Sequence, residues 1–400
     1  MFALLALSVL SQSDATPRPE FYPADRPLLV PIWNRVADVS PGLRSVESCA
    51  ISPDGTWCVA GGKFGYAVSA WRTADGHRLW RGIHQSEVEA VAISSNGRFV
   101  ASGAEDFTVA IWTREGKAVS SIELSSAIDA LAWSNADETF AGGDLFVGDE
   151  DGVLHIFSPA QDTANRWIEA GSVSVGDTIN SIDVAGDDAT LVVGGNLQIA
   201  SPRGGRHYDG FVRLVDIATR RVVKTFGPLE STTTPQGTRS GSIKSVRFSH
   251  DERRIAAGGF GEAVHVFDVA SGERVGLINP GWRVEAVEFT PEGHHLIVGG
   301  HGEALHWYDA ETLTLVHQQP AIRCEYIELS RDGRLVLTGH EDSGLLSLTL
   351  RASDLQRKIG TPPGQASYHE LADQQLDNRD LKEPASAEGA GGGDQGAENE

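Results

Sequence analysis

The stretch SEVEAVAISSNGRFVASGAEDFTVAIWTREGKAVSSIEL, from Ser86 to Leu124, decides the fold. It reads as an apolar strand, an Asn96-Gly97 turn, a second strand ending in Ser102-Gly103, a short acidic turn, a third strand ending in Trp112, and a fourth after Gly116. That is a four-stranded antiparallel meander. With apolar residues on both faces, such a unit cannot bury itself alone, and copies of it must stack.

Outward from this segment the unit recurs at a period of about 41 residues. Its first turn reappears at Pro53-Asp54-Gly55, Asn96-Gly97, Ala136-Asp137, Asp187-Asp188, Asp251-Glu252, Glu292-Gly293 and Asp332-Gly333. The residue closing the third strand keeps step at Trp71, Trp112, Phe157, Val215, Phe267, Tyr308 and Leu348, and Asp216, Asp268 and Asp309 follow three of these. Seven copies closed into a ring leave only short, protected strand edges, so the sequence predicts an all-β, seven-bladed propeller.

On these residues the chain resembles the WD-repeat family of β-propellers over roughly residues 27 to 354. The second repeat carries the resemblance best, with His84 before its first strand, Ser102 in the second, Asp106 in the next turn and Trp112 in the third. The resemblance implies that these four form the family's structural hydrogen-bond tetrad. Most other repeats lack the His before the first strand, and in the first two repeats the third-strand Trp is not followed by Asp, with Arg72 after Trp71 and Thr113 after Trp112.

After Thr349 too little apolar chain remains for the last blade's fourth strand. Pro27-Leu28-Leu29-Val30-Pro31-Ile32-Trp33 is apolar and otherwise unassigned, and its two prolines suit an edge. It is expected to be the outermost strand of the seventh blade. The propeller then spans residues 27–358. Residues 359–400 form a Gly/Ala/acidic tail whose composition implies disorder, and residues 16–26 a linker. The apolar run Phe2–Leu10 with small residues at Ser13 and Ala15 suits a cleavable leader over residues 1–15, although no Lys or Arg precedes it. Export and a cytoplasmic location both stay open.

Glycine, at 45 residues, is roughly 11% of the chain against the usual ~7%, in keeping with many tight turns. Net charge is −22, and residues 355–400 hold nine acids and four bases, which leaves −17 on the body. Such a surface repels polyanions and disfavours nucleic acid as a partner. Three cysteines make no disulfide framework; Cys49 and Cys58 lie at a diagonal offset that permits a bridge without requiring one. No apolar run is long enough to span a bilayer of ~30 Å.

His84, Ser102 and Asp106 have the residue types of a nucleophilic triad, but structural hydrogen bonding between blades explains them better, so no catalytic residue is assigned. His294, His295, His301 and His306 cluster in sequence, yet His294-His295 and His301 are expected in surface turns at opposite ends of one strand, and His306 on a solvated strand. They cannot share an ion, and no metal or cofactor is expected. Thr73 to Trp80 resembles the strand-joining motif of quinone-dependent dehydrogenase propellers, in a single copy.

Two features are candidates for binding. One position, just after the first apolar residue of each innermost strand, holds Glu47, Glu89, Asp129, Asn180, Lys244, Glu285 and Glu325. Rotation of the blades would gather these into an acidic ring at one mouth of the axial channel, suited to a cation or a Lys/Arg side chain. The competing reading pairs them locally, Glu285 with Arg283 and Glu325 with Arg323. The second feature is a pair of insertions, Asn196–Gly210 with Arg203, Arg206, His207 and Tyr208, and Gly227–Gly241 with Arg239. They are expected as two long loops standing side by side on the same face, a basic ledge on an acidic body. The sequence therefore predicts a non-catalytic, monomeric scaffold that binds a protein or peptide partner through its loop face. The alternative is an exported propeller enzyme, hydrolase or oxidoreductase, with a metal or cofactor in the axial channel.

Overall fold

The computed structural model describes residues 29–36 and 45–351, apart from residues 64, 136–141, 162–164, 201–205, 231, 235–236, 322 and 342–343. The Ala136-Asp137 turn, the leader and linker readings and the tail lie outside the described residues.

Four of the blades share one local device in the turn between their first and second strands. In blade 1 Ser52 Oγ donates to Asp54 Oδ1 at 2.7 Å and accepts from Trp57 N at 3.1 Å, clamping the turn from both sides. Ser94 with Asn96, Ser249 with Asp251 and Ser330 with Asp332 repeat it. Short polar side chains that bond their own backbone make such turns reliable. Asp216, Asp268 and Asp309 do the same between third and fourth strands, each accepting from a backbone N–H two or three residues on.

Seven four-stranded antiparallel sheets result, spanning residues 46–83, 88–123, 128–174, 178–229, 243–278, 284–320 and 324–351, the last completed by Leu29–Val36. That N-terminal strand pairs antiparallel with Leu345–Arg351, from Leu29 opposite Arg351 to Val36 opposite Leu345. Pro31 sits on this outer edge, where its missing N–H breaks no inner ladder.

Apolar side chains from neighbouring blades fill the space between sheets. Trp71, Trp112, Phe157, Val215, Phe267, Tyr308 and Leu348 are all buried there. A glycine near the end of each second strand permits the contact. A Cβ on Gly61 would stand 2.5 Å from Val88 Cγ1, and one on Gly258 2.5 Å from Val284 Cγ1. At the seam where blade 7 meets blade 1, Gly339 receives Val46 in the same way, at 2.6 Å. The ring therefore closes with the packing used between every other pair of blades.

The N-terminal strand is also latched to blade 1. Trp33 Nε1 donates to Thr73 O at 2.8 Å, while Arg35 Nε and Nη2 donate to Gly76 O at 3.0 Å and Asp75 O at 2.8 Å. The Thr73–Trp80 segment that resembles a quinoprotein motif thus offers backbone carbonyls to the closing strand. Cys49, Cys58 and Cys324 are free and buried, with burial raising each thiol pKa.

Candidate functional site

The innermost strand of every blade carries a β-bulge at one place. Val46 pairs with Gly62 and Ser48 with Gly61, which leaves Glu47 out of the ladder; the same step skips Glu89, Asp129, Asn180, Lys244, Glu285 and Glu325. A bulge releases one residue from pairing and re-aims its side chain. All seven side chains line one axial cavity of about 230 Å³, joined at its rim by Lys63, Glu105 and Glu150.

The acids do not pair as their sequence neighbours suggested. Glu285 Oε1 faces His301 Nε2 at 3.1 Å, Arg323 reaches Glu341 at 3.4 Å, and Arg283 lies over the Phe260 ring. Lys63 bridges Glu47 and Glu87 at 3.4 and 3.5 Å. Asn180 Nδ2 donates to Ile243 O at 2.6 Å and so ties blade 4 to blade 5.

Burial and crowding raise three of the acids. The Glu89 carboxyl is pushed up to about 8 by burial and by Glu47, against the pull of Lys63 and Lys244. Asp129 rises to about 7 through burial, with Glu150, Glu105 and Asp149 adding to it against Lys244. Glu325 rises to about 9 through burial, then Glu285, Glu47 and Glu341. For Lys244, burial disfavours the charge, but Glu285, Asp129, Glu47 and Glu325 together outweigh it and its pKa is raised. The mouth is a site where negative charge is in excess and a further cation is favoured.

Three residues past the bulge lies a second tier that the sequence reading missed. Arg247 Nε pairs with Glu288 Oε2 at 2.8 Å, and its Nη2 donates to Tyr326 Oη at 2.9 Å, reaching from blade 5 to blade 7. Asp183 and Glu328 complete the group, and Asp183 accepts from Phe248 N at 2.7 Å. The equivalent positions of blades 1–3 are Ala50, Ala92 and Ala132, so this tier is charged on one side only.

In blade 2 the four sequence candidates are joined by hydrogen bonds. Ser102 Oγ lies 2.8 Å from His84 Nε2 and accepts from Trp112 Nε1 at 2.8 Å, while His84 Nδ1 lies 3.2 Å from Asp106. Asp106 also accepts from Gln85 N at 2.7 Å. Burial lowers the His84 pKa against the pull of Asp106. With Ser102 at 0% exposure, no substrate reaches this hydroxyl. The clustered histidines separate as spacing implied, with one correction: His295 is not in a surface turn but begins a strand and is fully buried.

The two insertions differ from the loops expected. Thr190–Ala200 and Arg206–Asp216 pair along their whole length, out to Ala200 opposite Arg206, and Thr232–Thr234 pairs with Gly237–Arg239. Both are hairpins, because backbone pairing continues past the blade's edge. They meet where Gly241 N donates to Tyr208 O at 2.7 Å and Ser240 Oγ to the same oxygen at 3.1 Å. Tyr208 is exposed and His207 half-buried; Arg206 and Arg239 are placed on the paired strands, and Arg203 lies outside the described residues.

On the turns of blades 1 and 2 that flank the mouth, Tyr66 and Phe107 stand 44% and 47% exposed at φ 55° and 66°. At the equivalent turn blade 3 has Gly152. An aromatic residue held left-handed costs of order 1–3 kcal/mol, so these exposed rings are not explained by packing or backbone preference.

Comparison with known proteins agrees with this architecture. The family model "WD domain, G-beta repeat" matches residues 78–113. "Small ribosomal subunit protein RACK1" of Medicago sativa is 31% identical over 132 residues, covering 28% of this chain and 38% of that protein. Its counterpart in Glycine max is 29% identical over 128 residues, covering 28% and 39%, and RACK1z of Arabidopsis thaliana 29% over 133 residues, covering 28% and 38%. The matched stretch thus spans under two-fifths of these relatives. The chain is thus a seven-bladed β-propeller, one repeat of which matches the WD-repeat family model.

Proposed function

We propose that the chain is a non-catalytic scaffold that binds a protein or peptide partner on its loop face, with a Lys or Arg side chain of the partner entering the axial mouth. The observation that carries this is the convergence of seven bulge residues, five of them acids, on one cavity of about 230 Å³. Tyr66 and Phe107 offer apolar contact beside it, and Tyr208 with His207 offers a second contact on the hairpin ledge. A rigid ring holding these groups in place lowers the ordering cost of binding.

The relatives are named as small-subunit ribosomal proteins. For this chain, a net charge of −22 argues against an RNA-facing role and for a basic segment of protein. Among the described residues no helix is long and apolar enough to cross a membrane.

The test is binding of an array of short peptides differing only in Lys/Arg content. At pH 9, where both carboxyls are ionised, wild type is expected to retain Arg- or Lys-containing peptides in a salt-sensitive way, and the double variant Glu89→Gln, Asp129→Asn to bind them about tenfold more weakly. Equal binding by the variant, or no preference for basic peptides, would overturn the reading.

A further inference from the structure

We propose that Glu285, His301 and Glu325 form a binding site for a divalent transition ion of the Zn²⁺ class on the blade 6–blade 7 side of the mouth. One ligand atom from each lies within 4.8 Å of the other two. Bonds of about 2.0–2.2 Å to a tetrahedral ion place its donors roughly 3.4 Å apart. Glu285 and His301 already stand at 3.1 Å. Drawing in the third group takes an adjustment of about an ångström or somewhat more, which rotation of a Glu side chain supplies.

Glu285 provides the second, independent support. It is 7% exposed, its Oε1 faces His301, and its Oε2 is buried without a hydrogen-bond partner. An unsatisfied buried carboxylate oxygen is costly. A cation bound between Glu285 and Glu325 would satisfy it and offset their mutual repulsion.

The scaffold holds the three groups in place. Glu285 and Glu325 are equivalent bulge residues on adjacent inner strands, and the turn bearing His301 is fixed by His301 N donating to Arg283 O at 3.0 Å. Glu341, from the matching turn of blade 7, lies 3.3 Å from His301 Nε2 and is held by Arg323. One imidazole nitrogen with two carboxylates favours Zn²⁺, Co²⁺ or Ni²⁺ over Mg²⁺ and Ca²⁺, which prefer all-oxygen shells. Histidine spacing alone missed the site because two of its ligands come from other strands.

The site does not depend on a partner entering the mouth. The test is titration of the full chain, stripped with chelator, with Co²⁺. One equivalent is expected to bind with a visible d–d band that Zn²⁺ displaces and equimolar Mg²⁺ does not. His301→Ala and the near-isosteric Glu325→Gln should each weaken binding about tenfold or more, with urea midpoints close to wild type, whereas His250→Ala, at an exposed turn position outside the mouth, should leave Co²⁺ binding unchanged. Absence of the band, binding indifferent to both ligand variants, or displacement by equimolar Mg²⁺ would overturn the proposal. Should His301→Ala fail to fold, Glu325→Gln alone decides.

Discussion

Replacing Glu89 by Gln should make the protein more stable at alkaline pH and leave its stability at pH 5 nearly unchanged. The Glu89 carboxyl rises from its ordinary 4.5 to about 8 because it is buried and faces Glu47 and Asp129, with Lys63 and Lys244 opposing. A carboxyl whose folded pKa is raised binds its proton more tightly in the folded state. Its stabilising share is complete below about pH 4.5 and is lost as pH climbs through 8. At about 1.36 kcal/mol per pH unit, the rise corresponds to a ceiling of about 5 kcal/mol. The ring titrates as a coupled set, so neighbours share the proton and the gain for Glu89→Gln at pH 9 should be nearer 2 kcal/mol. Urea unfolding midpoints of wild type and variant at pH 5 and pH 9 measure it. An equal difference at both values, or a variant less stable at pH 9, would refute the view that this acid is held against its own electrostatics.

Two further perturbations probe the ring itself. Trp33→Ala removes a side chain only 6% exposed and leaves Thr73 O without its donor, so a loss of about 3–5 kcal/mol is expected; hydrogen exchange should rise first in Leu29–Val36 and Leu345–Arg351, and uniform loosening of all seven blades would contradict the latch. Gly258→Ala should cost about 1–3 kcal/mol, since its Cβ would stand 2.5 Å from Val284 Cγ1, whereas Gly261→Ala, whose nearest atom is Ser240 O at 3.5 Å, should move the urea midpoint little; equal effects at both sites would refute the close-approach argument.

The fold was legible because the same strand-and-turn pattern recurs along the chain, and the deficit of one strand at the end pointed back to the apolar N-terminal segment. The ring positions were legible as a repeated column, but not what turns them to the axis. Simple alternation places residues i and i+3 on opposite faces. The bulge adds one residue and reverses that parity, so Asn180 with Asp183, Lys244 with Arg247 and Glu285 with Glu288 share one side. That is why the second tier went unseen. The hairpins were hidden by composition: the Gly, Ser, Pro and Arg content of residues 196–210 reads as loop, yet register carries the ladder to Ala200 and Arg206. His295 was misplaced because its neighbour His294 does lie in a turn.

What closes the ring is the same in every blade, and what lines its axis is not. A second-strand glycine receiving the next blade's first apolar residue recurs from Gly61 with Val88 to Gly339 with Val46. The bulge residue beside that apolar side chain belongs to no packing contact of this kind, so it is free to differ among Glu, Asp, Asn and Lys without loss of the fold. Five acids at such positions carry a cost that amides or alanines would avoid, as Ala50, Ala92 and Ala132 avoid it one tier deeper. Packing does not demand these charges, and Lys244 compensates them only in part. Residues that a fold tolerates at its own expense are those to which binding is most reasonably assigned, and here they all open onto one face.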